Sequence, residues 1–472
     1  MILDRFKKSL ETGDTVARLR AGLIGEGAAI ETPFGTQKLV YADYTASGRA
    51  LRQVEDFVAE HVLPFYANSH TESSYCGAYT TGLREEARAT IAAHMNAGPE
   101  CAVIFAGSGA TGAVNRLVAL CGVAPFARDS EIAPVVFIGP YEHHSNILPW
   151  RESGARVVEI DEAPDGGPDL GQLQEQLARH ADSPMLIGSF SAASNVTGIL
   201  SDVDAVTRIL KRHGALAFWD YAGGGPYLDM DMNPGAGLEK DAIFLSPHKF
   251  PGGPGASGLL VVRQSAVRAT RPTWPGGGSV AYVSPWAHDY LSSVIEREEA
   301  GTPNVIGDIR AALAFVVKAA IGTEFITRRD AQLCERAMQV WRDNPRIRLL
   351  GVPGADRLPI ISFLVHDRDG GFVHHEAFTR ILSERAGIQA RGGCACAGPY
   401  GHRLLGVGRA QSEQIRAAVL GGDETQKPGW IRLNFGYLMD DATAAFIVSN
   451  VDDLARRADT LTVANDTSIA AA

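Results

Sequence analysis

The chain has no apolar run of the ~18 to 20 residues that a membrane helix requires; Ala311–Val317, for example, is broken at once by Lys318. No membrane span is expected. Behind the charges of Met1-Ile-Leu-Asp-Arg-Phe-Lys-Lys there is no uninterrupted apolar region, so no secretory leader is expected either, and the expected location is cytoplasmic. Cysteine is scarce: six residues, at 76, 101, 121, 334, 394 and 396, are too few and too scattered for a disulfide scaffold. Only Cys394 and Cys396 form a pattern. An excess of positive charge is missing as well, since 44 Lys+Arg against 54 Asp+Glu leave a net charge of −10. That balance argues against nucleic-acid or anionic-membrane binding and favours small-molecule chemistry. Internal repeats are absent, and the one low-complexity stretch is the small polar tail from Ala464, expected to be disordered.

What remains is a globular composition, 45% hydrophobic with 51 Gly and 24 Pro among 472 residues, which excludes collagen-like, coiled-coil and disordered readings. At ~150 residues per domain the length suggests about three domains, or two larger ones. Short apolar strands are expected at 102–106, 135–138, 156–160, 185–189, 215–219, 242–245 and 258–262, alternating with helices such as Ser201–His213, which opens on a capping serine. This reads as a mainly parallel seven-stranded α/β sheet lying between helix layers. Residues 1–40 are read as a charged, partly helical arm, 41–305 as the large domain, 306–463 as a helical linker and smaller α+β domain, and 464–472 as the tail. In the smaller domain the pattern predicts helices at 324–342, 374–386 and 440–458, and strands near 346–351, 359–365, 387–391 and 430–435.

Lys249 lies in Ser246-Pro-His-Lys-Phe, between a buried strand and Pro251-Gly-Gly-Pro-Gly. Such a place is the carboxyl edge of the sheet, where ligands of open α/β folds bind and where a desolvated lysine amine forms Schiff bases. The alternative is a surface lysine on a glycine-rich turn. Asp220 closes the strand before it, 29 residues upstream, so the two side chains can meet. Pyridoxal phosphate needs this pair, a lysine for its aldehyde and a carboxylate to keep its pyridine nitrogen protonated. Gly107-Ser-Gly-Ala-Thr-Gly112 offers backbone N–H groups and a helix N-terminus to a phosphate. His143, in Glu142-His-His-Ser-Asn-Ile-Leu-Pro-Trp150, falls at the same edge and can lie flat on an aromatic ring; no acid or cysteine at matching spacing supports a metal site.

Five segments in order, Glu142–Trp150, Ser194-Asn-Val-Thr-Gly, Ser246–Phe250, Trp274-Pro-Gly-Gly-Gly-Ser and Glu299-Ala-Gly-Thr-Pro-Asn, resemble the class V aminotransferase-fold pyridoxal phosphate enzymes, and among them the cysteine desulfurase and selenocysteine lyase group. The resemblance covers nearly the whole chain and implies fold type I of the PLP-dependent transferases. It implies Lys249 as the Schiff-base lysine, Asp220 at the pyridine nitrogen, His143 stacked on the ring and assisting proton transfer, and Asn195 near the phenolic oxygen. Ala110, Thr111, Ser246 and His248 would hold the phosphate, with Thr302 reaching it from the partner subunit of a homodimer.

By the same resemblance, Arg391-Gly-Gly-Cys394-Ala-Cys396-Ala-Gly-Pro is the loop of the reactive cysteine, with Cys396 at the persulfide-forming position and Cys394 where histidine is common. In an extended loop the two thiols would project to one side about 6.5 to 7 Å apart. Arg432 would grip the substrate carboxylate with its planar fork, and Arg391 is a second candidate. Two incidental thiols, half a metal site, or a structural arginine are the competing readings.

One departure is that Asp220-Tyr-Ala-Gly223 has glycine where the family usually has glutamine. Together with the Cys-Ala-Cys loop, this also resembles the desulfurase part of molybdenum cofactor sulfurases. The expected activity is release of sulfur from L-cysteine, with a sulfur-acceptor protein as a further partner. The alternatives are a selenocysteine lyase, a C–S β-lyase or an aminotransferase on the same fold, or a non-catalytic sulfur-relay or regulatory protein.

Overall fold

Apolar residues occupy both faces of six of the seven central strands, all but the edge strand Arg156–Glu159, and this double burial organises the larger part of the molecule. The computed structural model describes residues 2–69, 71–129 and 132–461; the tail from Ala464 lies outside them. In spatial order the strands are Cys101–Gly107, Gly258–Arg263, Ala242–Leu245, Leu216–Asp220, Leu186–Ser191, Val135–Ile138 and Arg156–Glu159. Those from Ala242–Leu245 onward run parallel, and Gly258–Arg263 is antiparallel to both its neighbours. The two-residue period separates two cores. Ala217 and Trp219 pack with helices Tyr75–His94 and Val305–Ile321 on one face, while Phe218 packs with helix Gly109–Leu120 on the other.

Several expectations shift. Helix Val203–Arg212 is capped by Asp202, whose Oδ1 accepts from the Ala205 N–H at 2.9 Å; Ser201 instead donates to the Ser191 carbonyl at 2.7 Å. Contrary to the expected absence of any long apolar stretch, Gly109–Asp129 is a 21-residue segment apolar enough to pass as a membrane span by length and composition. It is broken at Gly122 (φ +67°) into helices Gly109–Leu120 and Val123–Asp129. At 1.5 Å per residue the longer piece covers only about 18 Å, and its apolar face is spent on the sheet. Helix Val305–Ile321, read as the linker to the second domain, packs in the large core because nearly all of its surface is apolar. The chain crosses over only at Gly322 (φ +85°), entering helix Thr323–Arg342.

The smaller unit has an antiparallel sheet in the order Ile347–Leu349, Ile360–Val365, Trp430–Asn434, Arg391–Gly393, covered by helices Thr323–Arg342, His375–Ala386 and Asp441–Arg456. The strand expected at 387–391 is split. Ile388–Gln389 pairs in parallel with Val40–Tyr41, and Arg391–Gly393 pairs with Trp430–Arg432, placing Arg391 opposite Arg432. Val40, at the end of the expected arm, and Ala42 and Tyr44, at the expected start of the large domain, therefore belong to the second core. An isolated bridge between Asp43 and Asn434 extends this junction.

Gly387 makes the junction possible. It is left-handed (φ +67°), and a Cβ there would stand 2.0 Å from the Lys38 carbonyl oxygen. Gly406 has the same backbone (φ +68°) with open space around it. Gly406→Ala is expected to cost about 1 kcal/mol for the left-handed alanine. Gly387→Ala should lose about 1 to 3 kcal/mol beyond that, because backbone must move. Urea denaturation of the two variants measures the difference, and equal losses would contradict this account of the arm.

Candidate active site

Four carboxyl ends of parallel strands and one helix N-terminus meet in a cleft of about 210 Å³. Into it the sheet delivers Asp220 as the last residue of its strand, and Lys249 on the 3-10 turn Pro247–Lys249 that follows the next strand. His143, Asn195, Ala110, Thr111, Ser246 and His248 line the same cleft. Sequence reasoning thus brought together eight residues that the fold also brings together. Thr302 is not among the lining residues; it is exposed on this chain.

Burial dominates the electrostatics of the cleft. It pushes Lys249 down to about 8, against the pull of the Asp220 carboxylate, with Arg432 and Arg391 adding to the depression. Asp220 is pushed up to about 6 by burial, opposed by the Ala222 N–H, which donates to its Oδ1 at 2.7 Å, and by Lys249. His143 is lowered to about 4 by burial and then by Lys249, so its imidazole is neutral at pH 7. The Ser145 backbone N–H donates to His143 Nδ1 at 3.1 Å, which leaves the ring proton on Nε2. Behind them Glu142 is buried and raised to about 7; it accepts from Ser191 N–H and Oγ–H at 2.8 and 2.7 Å and from Asn146 Nδ2 at 2.5 Å, bracing the strand ends.

At the other end of the cleft lies a cradle for an anion. Helix Gly109–Leu120 begins there without a side-chain cap, Ser246 Oγ accepts from the Ala110 N–H at 2.9 Å, and Thr111 and Ser145 hydroxyls meet at 2.7 Å. A Cβ on Gly109 (φ +61°) would come within 2.8 Å of Ser246 Oγ and 2.9 Å of His248 Cε1. Only glycine keeps this pocket open. Burial lowers His248 to about 4. At Gly223 a Cβ would meet only ordinary contacts, 3.6 Å from the Ala193 carbonyl oxygen, so space remains on that side of the cleft.

The cysteine loop is docked on the cleft through two residues. Asn195 Nδ2 donates to the Ala395 carbonyl at 2.9 Å, and its Oδ1 is buried without a partner. The His144 N–H donates to the Cys396 carbonyl at 2.8 Å, while His144 Nε2 accepts from the Gly398 N–H at 2.9 Å. The loop is not extended, contrary to expectation. Ala395 (φ +50°) and Cys396 (φ +54°) are both left-handed, and the Ala397 N–H closes a turn onto the Cys394 carbonyl at 3.1 Å. This resembles a primed turn, usually made with Asn-Gly, which is why Ala-Cys gave no signal of it. The extended-strand separation of the two thiols therefore does not apply. Cys396 is exposed and Cys394 half-buried.

Arg432 and Arg391 do not line the cleft but converge beside it on Asp43, a residue that the sequence reading missed. Arg432 is 4% exposed; its Nη2 donates to Asp43 Oδ1 at 2.9 Å and its Nη1 to the Asn195 carbonyl at 3.0 Å. Arg391, half-exposed, donates from Nε to Asp43 Oδ2 at 3.0 Å. One carboxylate thus holds both guanidinium groups, and Cys396 lies close enough to Arg432 to act on its charge. An acid two residues after the short strand Val40–Tyr41 was the available signal, by logic close to that which picked out Asp220.

A mainly parallel α/β sheet with lysine, carboxylate and imidazole at its carboxyl edge, joined to a small α+β unit that supplies arginine, is the arrangement of fold type I transferases. Residues 40–426 match the aminotransferase class-V family, and the chain belongs to that family of enzymes. Among its relatives, a probable cysteine desulfurase of Streptomyces coelicolor is 30% identical over 369 residues, covering 77% of this chain and 84% of that protein. The cysteine desulfurase of Pectobacterium atrosepticum is 29% identical, with 77% and 85% covered. Two solved structures share the fold. Cysteine desulfurase CsdA of Escherichia coli matches with a TM-score of 0.72 at 23% identity, covering 95% of this chain and 99% of that one. The apo cysteine desulfurase of Thermococcus onnurineus NA1 also has a TM-score of 0.72, at 21% identity, with 89% and 95% covered.

The lowered Lys249 makes a direct prediction. A shift from 10.5 to about 8 leaves about 300-fold more neutral amine at pH 7 than an ordinary lysine has. Competitive acylation of the cofactor-free protein, read by peptide mass, should show Lys249 reactivity rising with pH to a half-point near 8. A half-point at the value of exposed lysines would contradict the burial argument.

Proposed function

We propose that this chain is a pyridoxal phosphate-dependent cysteine desulfurase, working as a homodimer, that converts L-cysteine to L-alanine and leaves the sulfur as a persulfide on Cys396. The observation that carries the reading is the docking of the Cys396 turn, through Asn195 and His144, on the cleft that holds Lys249, Asp220 and His143. The cleft fits the cofactor. The uncapped helix N-terminus and the glycine-dependent cradle suit its phosphate, Asp220 its pyridine nitrogen, and the unpartnered Oδ1 and remaining Nδ2 hydrogen of Asn195 a polar ring substituent. When bound, pyridoxal phosphate supplies an electron sink conjugated to the substrate Cα.

Each residue's task follows from its surroundings. Lys249 would hold the cofactor's aldehyde carbon and, as a free amine, would take the substrate Cα proton on Nζ; its lowered pKa makes the neutral base accessible near neutrality. Asp220 would hold a proton at the pyridine nitrogen from a buried site where water does not compete. Neutral His143 offers a flat ring and an Nε2–H to the cleft. Arg432, oriented by Asp43, presents its remaining N–H groups to the substrate carboxylate, with Arg391 as its neighbour. Cys396 Sγ attacks the substrate sulfur: an S–S bond forms, the substrate Cβ–S bond breaks, and the carbon skeleton gains a proton to become alanine.

Thr302 reaching a partner's cleft is part of this proposal. Its support is the exposed apolar surface of the same segment, where Trp286 is 90% and Trp274 70% exposed. Six free cysteines suit a reducing, cytoplasmic setting.

Product analysis tests the reading. With L-cysteine and a reductant the enzyme should yield alanine and sulfide, whereas pyruvate with ammonia marks a β-lyase and a keto acid an aminotransferase. Cys396→Ser should keep the spectral change on adding L-cysteine but lose alanine formation by about 100-fold or more, as when a covalent nucleophile is removed. Undiminished alanine from this variant would overturn the role of Cys396.

A further inference from the structure

The turn that holds Cys396 at the cofactor cleft exposes its neighbour to a different cavity. Cys394 lines a space of about 360 Å³ that shares no lining residue with the cleft and is walled by His374, His375, Arg380 and Lys427. His375 is only 9% exposed, and neither ring nitrogen makes a formed hydrogen bond; the Lys427 backbone lies near enough to favour the charged ring without meeting bonding geometry. His374 Nδ1 is likewise buried and unpartnered. Those nitrogens have no accessible surface, so the two rings wall the cavity without offering it a hydrogen bond. Gly429 makes room for the ring, since a Cβ there would stand 2.2 Å from His375 Nε2. A metal does not fit the donor set: among the described residues no three His, Cys, Asp or Glu side chains are arranged to hold one.

We infer that Cys394 is a second sulfur carrier, which takes the sulfane sulfur from Cys396 and delivers it to a small amino-acid-type thiol bound in this second cavity. The inference rests on the persulfide reading of Cys396 and extends it. The cavity carries both signs of charge, Lys427 for a carboxylate, Glu376 and Glu424 for an ammonium group, with the Cys394 thiol on its wall. Lys427 Nζ and Glu424 Oε1 pair at 2.6 Å on the exposed rim, where an incoming zwitterion exchanges partners with them. The relay step is redox-neutral. The Cys394 thiolate attacks the outer sulfur of Cys396–S–SH, a new S–S bond forms, the old one breaks, and the Cys396 thiolate leaves, ready for the next substrate. Two residues apart, the Cα atoms are at most about 7 Å from each other, and both belong to one hydrogen-bonded turn. Its two left-handed non-glycine residues strain the turn. Release of the Asn195 and His144 contacts therefore lets the turn relax and the sulfurs meet.

The test uses the holoenzyme and its Cys394→Ser variant. In a single turnover with L-cysteine, tandem mass spectrometry of the loop peptide should find the added mass first on Cys396 and then on Cys394 in the wild type, and only on Cys396 in Cys394→Ser. Alanine from that first turnover should be the same in both. Sustained turnover with glutathione as acceptor should fall about tenfold or more in the variant, because the outgoing nucleophile is gone. Lys427→Gln, a surface change, should weaken use of 3-mercaptopropionate by about threefold to fivefold, the scale of one exposed charge contact, and leave cysteamine unaffected. Sulfur confined to Cys396 in the wild type at all times, with glutathione turnover intact in Cys394→Ser, would overturn the relay while leaving the desulfurase reading standing. Failure of the wild type to form alanine would remove both.

Discussion

The structure turns on the cost of keeping a lysine ammonium at the buried edge of a parallel sheet. Two apolar cores exclude water from both faces of the strands that end at Asp220 and Leu245, and Lys249 follows directly on the second of these. Removal from water is the largest influence on Lys249, larger than the attraction of Asp220, so the amine loses its proton far below the range of a solvated lysine. The same exclusion raises Asp220 and holds His143 neutral. One cause, low polarisability around the strand ends, thus gives a nucleophilic amine, a carboxylate ready to share a proton and an uncharged ring within a single cleft.

The second unit acts on this cleft through charge and through backbone. Arg432 comes from the centre of its sheet and Arg391 from the adjacent edge strand, opposite each other in register, and two like charges so placed repel. Asp43 resolves that repulsion from the N-terminal segment, which reaches the second core by pairing with Ile388–Gln389. The arm, the arginine pair and the cysteine turn therefore form one connected structure, with Gly387 giving the close backbone approach on which it depends.

Much of this was legible in the chain. Apolar runs bounded by glycine and polar turns marked all seven central strands, because strands buried on both faces leave few other ways to read Val135–Ile138 or Ala242–Leu245. Lys249, Asp220 and His143 could be assigned to one edge since each follows a strand of the same parallel sheet. The helix Val305–Ile321 was misplaced because an all-round apolar helix shows that it is buried and not in which core. Asp43 escaped notice because its partners lie 348 and 389 residues away. The turn at Cys394–Ala397 was invisible for a different reason: besides its own closing bond it is held by Asn195 and His144, in backbone conformations that its residues do not prefer.

The account stands or falls on Lys249 as the covalent anchor of the cofactor. Reconstituting the protein with pyridoxal phosphate, reducing with borohydride and mapping the peptides should place the pyridoxyl group on Lys249, one per chain, in the peptide that contains Ser246-Pro-His-Lys-Phe. A pyridoxyl group on another lysine, or none at all with the protein still folded, would contradict it.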